Sequence, residues 1–304
     1  MKKNTKITLA VLAAGTILSL AARVYIIVVH TDMKTGFLYH GEELMCNLLY
    51  YGIIAAAAVV SIFTARADEK SGVGEKTAAD IGGAGVTVIG FLAMIAGGFA
   101  AYEGLTEFKA VTPTNFLIAV DFLFAALLVV IAFATISKKR FTPGLGYSYS
   151  LIGAYCICRG IYCFMSRMAI VTVPEYLIEC ISLIGMSVYF VMLGRFLSGN
   201  ETRHTRKLVC FWGVGTAAIT LSSALGTIIA LFAAPEEIRV RIVLSSYEAE
   251  SFRQASAGAD AYKLTATPWV NLALGALIVA SLVTVFTKSV RRSGASAVEA
   301  NEDI

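Results

Sequence analysis

Charged residues are scarce in this 304-residue chain. They make up 15% of it, against 57% for the hydrophobic types, while a soluble domain usually carries about 25%. That shortage excludes a single soluble globule, which would need far more polar surface. Proline is also rare: the five present are Pro113, Pro143, Pro174, Pro235 and Pro268, and none falls in the middle of an apolar run. Paired mid-membrane helix breaks of the kind that build many transporter sites are therefore not signalled by proline. The three histidines, His30, His40 and His204, all stand outside the apolar runs, which leaves no imidazole at membrane depth for catalysis. The six cysteines, Cys46, Cys156, Cys158, Cys163, Cys180 and Cys210, all fall inside those runs. No disulfide framework is implied, and the thiols read as small buried hydrophobes.

The sequence is rich in long apolar blocks. Runs of about 20 apolar residues, the length needed to cross a bilayer as helix, occur near 7–29, 44–64, 81–102, 115–136, 147–168, 175–197, 208–233 and 268–287. Backbone groups in hydrocarbon must be satisfied within the segment, so these runs are expected to be helices. The fold class expected is an all-α integral membrane protein with about eight transmembrane helices. The run 147–168 is the least apolar, because it contains Arg159 and Arg167. Keeping it places Lys138, Lys139 and Arg140 on the same side as Arg203, Arg206 and Lys207, as the positive-inside rule prefers.

With eight spans, 16 of the 25 lysines and arginines lie on one side and seven on the other, while Arg23 and Arg159 lie within spans. The bias predicts a multi-pass protein of the cell membrane with both termini in the cytoplasm. The net charge of +4 is then a topology signal and not a nucleic-acid-binding surface. Lys2, Lys3 and Lys6 before an apolar stretch resemble a secretory signal. The run nevertheless continues past Arg23 through Val29, longer than a usual signal core, so an uncleaved first helix is expected.

The two halves share features suggesting a 4+4 parallel duplication. Arg23-Val24-Tyr25 in the first span has a partner in Arg159-Gly160-Ile161-Tyr162 in the fifth. Gly41-Glu42 precedes the second span as Pro174-Glu175 opens the sixth, with Gly52 and Gly185 farther along. Thr112-Pro113 and Thr267-Pro268 precede the fourth and eighth. The second half is longer between these landmarks by 22 residues, the same amount by which its outer loop 234–267 exceeds the loop 103–114. The expected units are 1–146, 147–292 including that outer loop, and a polar tail at 293–304.

Ionised groups at membrane depth are expensive and need a reason. Arg23, Arg159 and Asp121 lie within spans, Glu43 tops the second span, and Glu175 and Glu179 top the sixth one helical turn apart. Glu103 and Glu107 repeat that spacing at the end of the third. Asp121, Arg23, Arg159, Glu43 and Glu179 are the candidate substrate-binding residues, lining an outward-facing polar cavity. The bland alternative pairs Arg23 with Glu42 or Glu43 and Arg159 with Glu175 or Glu179, each pair locking a helical hairpin.

Other motifs carry less. His30, Asp32, His40, Glu42 and Glu43 crowd the first outer loop, but their spacing fits no compact zinc motif, so no metal and no cofactor is expected. Glu42-Glu43 at a helix start invites comparison with CAAX-type intramembrane proteases. That arrangement needs an arginine four residues after the second glutamate, where Asn47 stands, together with histidines in later spans. Gly82-Gly83-Ala84-Gly85 has no following Lys-Ser/Thr and is no phosphate loop. Ala93, Gly97 and Ala101, and likewise Ala218, Ser222 and Gly226, form small-residue faces suited to close helix packing. In the loop 234–267, residues 238–252 suggest a short amphipathic helix. The sequence thus predicts a small-solute or ion transporter-like protein in contact with the lipid bilayer. The alternative is a non-transporting sensor or accessory subunit with a protein partner, and an enzyme ranks last because no nucleophile is paired with a base at membrane depth.

Overall fold

In the computed structural model, residues 3–30, 38, 41–70, 83–108, 115–167, 174–199, 204–233 and 267–289 are described. The expected surface helix at 238–252, the tail at 293–304, Asp32 and His40 lie outside them. Among the described residues there are eight long helices: α1 Lys3–Val29, α2 Glu43–Lys70, α3 Ala84–Phe108, α4 Asn115–Lys138, α5 Pro143–Arg167, α6 Pro174–Leu197, α7 Thr205–Ala233 and α8 Thr267–Ser289. Each coincides with an apolar run. α2 continues beyond its run through Ala-Arg-Ala-Asp-Glu-Lys, most of whose residues are good helix formers once hydrocarbon no longer dictates composition. α5 and α6 begin at proline, whose fixed φ and missing N–H suit the first turn. Gly199, just beyond the end of α6, takes φ +77°, as the residue after a helix C-terminus favours.

Seven of these helices are long and apolar enough to cross a membrane, and α5 is the exception. The chain is a polytopic membrane protein by that criterion. Its outer faces support the assignment: Leu44, Leu123 and Phe133 are each 72% exposed. In water such a surface would aggregate, whereas against acyl chains it is the ordinary one. α5 also turns Tyr147, Leu151, Ile157, Ile161 and Phe164 outward. Its polar residues are largely on the other side, which is why its average hydropathy is low.

Helices α3, α4, α5, α6, α7 and α8 follow one another around a ring, each packed on the next, and α8 closes it against α3. The α1–α2 hairpin sits outside this ring, against α7. Within the halves, α1 pairs with α2 as α5 does with α6, and α3 with α4 as α7 does with α8, while α2 and α6 both reach α7. The ring is filled by side chains such as Leu128, Ile131, Tyr149, Tyr189, Phe190 and Leu277, all fully buried.

Between apolar helices in lipid there is little hydrophobic drive to associate, so close packing and interhelical hydrogen bonds hold the bundle. The small-residue faces serve that purpose. Gly97 faces the α4 backbone, where an added Cβ would lie 3.3 Å from the carbonyl oxygen of Ala125. The Ala218, Ser222 and Gly226 face of α7 receives the α1–α2 hairpin. There the Ser19 hydroxyl donates to the Ala218 carbonyl at 3.5 Å, Tyr50 Oη meets Ser222 Oγ at 2.7 Å, and Gly226 accommodates the Arg23 side chain. The same pattern recurs inside the ring, where Tyr189 Oη on α6 meets Ser281 Oγ on α8 at 2.5 Å. In both places the serine hydroxyl also donates to the carbonyl three residues earlier, that of Ile219 or Ile278.

The tightest helix contact is between α5 and α6. A Cβ at Gly194 would stand 2.6 Å from the Gly146 carbonyl oxygen and would overlap Ser150 Oγ. Gly98, on α3, has open space instead. Gly194→Val should therefore lower stability by about 1–3 kcal/mol or more through overpacking. Gly98→Ala should be neutral, or stabilising by up to about 1 kcal/mol from helix propensity. Thermal denaturation of the two variants in detergent checks both expectations, and equal melting temperatures would refute the α5–α6 packing described.

Candidate ionisable site

Among the described residues the largest concentration of buried charge lies where α3, α4 and α5 meet. The position follows from helix register. On α5, Tyr149, Ile152, Cys156, Arg159 and Cys163 recur at helical spacing and all are buried, so the stripe that packs inward carries the arginine with it. Tyr155 lies one turn before Arg159, also turned inward. Glu103 is near the end of α3 and Asp121 near the start of α4, which brings both carboxylates to the level of Arg159.

Arg159 is the centre. One terminal nitrogen, Nη1, donates to Asp121 Oδ1 at 2.9 Å and to Tyr155 Oη at 3.0 Å. The other, Nη2, is paired with Glu103 Oε1. Tyr155 in turn donates its hydroxyl hydrogen to Asp121 Oδ1 at 2.9 Å. The Tyr155 ring stacks on Phe124 of α4 with centroids 3.6 Å apart and planes 4° from parallel, which fixes the hydroxyl. Beside Glu103, Gly104 brings the α3 backbone close to α4, where an added Cβ would be 3.5 Å from the Asp121 Cβ. Arg159, Glu103 and Asp121 are 7%, 5% and 1% exposed. Asp121 Oδ2 is buried with no hydrogen-bond partner among the described residues. Two carboxyl groups thus face one guanidinium, and with all three ionised the cluster would hold one excess negative charge.

The other expected site residues are placed apart. Arg23 is buried on α1, next to Gly226 of α7, and α1 packs mainly on α2 and α7 while α5 packs on α4 and α6. Arg23 and Arg159, expected to be counterparts, thus occupy different surroundings. Glu43 is exposed at the start of α2. Glu179 is half-buried on α6 and accepts from the Cys163 thiol at 3.7 Å. The hairpin pairing expected for Arg159 with Glu179 is replaced by pairing with α3 and α4, because the stripe bearing Arg159 faces those helices. Glu42 is bound to His30, with Nδ1 to Oε2 at 2.6 Å, which ties the end of α1 to the start of α2 and to the edge of the Tyr25 ring. Among the described residues no group of three or more metal-ligating side chains forms.

Sequence reasoning did not single out Tyr155, and it noted Glu103 without joining it to Arg159. The available signals were the four-residue spacing of Tyr155 and Arg159, and a glutamate inside an apolar run.

Arg159→Met would leave two carboxyl groups buried without their cation. Breaking a buried ion pair in this way typically costs about 3–5 kcal/mol, which a chemical or thermal denaturation series in detergent would read. Glu43→Gln, at an exposed position, should stay within about 0.5 kcal/mol of the parent. If Arg159→Met were as stable as the parent, the cluster would not be a structural element. No family model, curated protein or solved structure matches this chain.

Proposed function

We propose that this is a transporter-like membrane protein whose α3–α4–α5 cluster handles a small cation or a proton. The observation that carries the proposal is the pair of buried carboxyl groups, Glu103 and Asp121, sharing the single guanidinium of Arg159. An ionisable group at membrane depth is a functional candidate by default, since lipid penalises it. A cluster with more acid than base has a standing affinity for positive charge. Asp121 and Arg159 are the principal residues. Arg23, Glu43 and Glu179 belong to the proposal as further polar groups at the helix ends on that side of the bundle. In this reading α5 is an eighth span, both termini are cytoplasmic, and the cluster lies in the outer half of a bundle that arose by 4+4 duplication.

A non-transporting sensor or accessory subunit is the second reading. It is favoured by the way Arg159 is satisfied inside the cluster, where it joins three helices as a scaffold would.

A thermal-stability screen of the detergent-purified protein against small cations and solutes, with Asp121→Asn in parallel, separates the two. A ligand at about 100 times its Kd should stabilise the parent by about 2.7 kcal/mol and leave the variant unmoved. A screen in which no cation or solute moves the parent would favour the partner-binding reading.

A further inference from the structure

The cluster's hydrogen bonds are unevenly shared, and the unevenness bears on the identity of the ion. Asp121 Oδ1 accepts from both Tyr155 Oη and Arg159 Nη1, while Oδ2 of the same carboxyl is buried and accepts from neither. An ionised carboxylate has two equivalent oxygens and gains from donors on each. A neutral carboxylic acid has one carbonyl oxygen that accepts and one hydroxyl oxygen. Glu103 likewise meets Arg159 through one oxygen, Oε1, so the unevenness is compatible with one neutral acid in the cluster, and Asp121, at 1% exposure against 5% for Glu103, is the more deeply buried of the two.

Charge balance leads to the same assignment. The groups that face Asp121 are Glu103 from α3 and Tyr155 and Arg159 from α5. Arg159 is the one cation among them and is shared with Glu103. A second, uncompensated carboxylate at this depth would cost far more than an un-ionised group, and buried carboxyls in that situation neutralise instead. A metal cation is a poor compensator here. A calcium- or magnesium-type ion needs about six or more oxygen ligands, and the cluster's two carboxyl groups and one phenol offer five, three of them already bonded to the guanidinium.

We propose that the cluster binds a proton on Asp121 Oδ2, and that Glu103 is the ionised partner of Arg159. The inference rests on the transport reading only in naming the proton as the ion that site would handle. In the binding step an O–H bond forms at Oδ2 as an O–H bond of a hydronium ion at the membrane surface breaks to leave water, and the cluster passes from one net negative charge to none. Release reverses it.

The first test is infrared spectroscopy of the full chain reconstituted in vesicles. The protein should show a protonated-carboxyl stretch near neutral pH that shifts in heavy water, survives Glu42→Gln and is lost in Asp121→Asn. Absence of that band in the parent protein overturns the proposal. The second test assigns the proton. Asparagine mimics a neutral acid, so Asp121→Asn should keep the parent's melting temperature. Glu103→Gln removes the ionised partner and should lower it clearly. If Asp121→Asn loses as much stability as Glu103→Gln, or more, the assignment to Asp121 is wrong. Proteoliposomes holding a pH-sensitive dye then separate this inference from transport. A band without dye response under an imposed potential keeps the proton site and removes proton transport. Uptake of another ion without the band does the opposite.

Discussion

A guanidinium held between two carboxyl groups is an unforgiving joint. Arg159 must meet Glu103, Asp121 and Tyr155 together, because each of these groups would otherwise be buried in a medium that solvates none of them. Meeting that demand fixes α5 against the end of the α3–α4 hairpin where α3 leads into α4. It also fixes which face of α5 turns inward, and with it the positions of Tyr149, Ile152 and Cys156 in the ring's core. The stack of Phe124 on Tyr155 and the close approach at Gly104 read as the packing this joint requires.

α7 has a complementary part. Its faces receive α6, α8 and the α1–α2 hairpin, with small residues and hydroxyls among the contacts there. The bundle is thus held by two kinds of chemistry: ionic in the α3–α4–α5 sector, and close-packed with Tyr–Ser bonds around α7. In lipid both are effective because neither depends on excluding water from apolar surface.

The helices were legible because bilayer thickness imposes a length and a composition that few other contexts impose. α5 was legible only through charge topology, since its inward stripe of arginine, tyrosine, serine and glycine dilutes the apolar signal. Asp121 and Arg159 stood out as charges in apolar runs, and the structure joins them. Their partner choice was not readable. Arg159 has Glu179 nearby in sequence and reaches instead for α3, 56 residues back, because rotation of α5 about its axis is decided by the whole ring. Tyr155 was invisible for a simpler reason: a tyrosine within a span is common, and its role appears only when Asp121 lies opposite. Arg23 shows the converse limit, where similar sequence surroundings lead to a different place in the fold.

The closed ring also constrains how the molecule is made. Helices emerge in chain order, yet α3 finds one of its two ring neighbours, α8, only after every intervening helix has been made. The α1–α2 hairpin likewise waits for α7. For much of its synthesis the chain must therefore hold helices whose final partners do not yet exist, with their small-residue faces turned to lipid or to insertion factors. α8 acts as the clasp. Until it arrives the bundle is an open arc, and loss of α8 would leave α3 and α7 unsealed together.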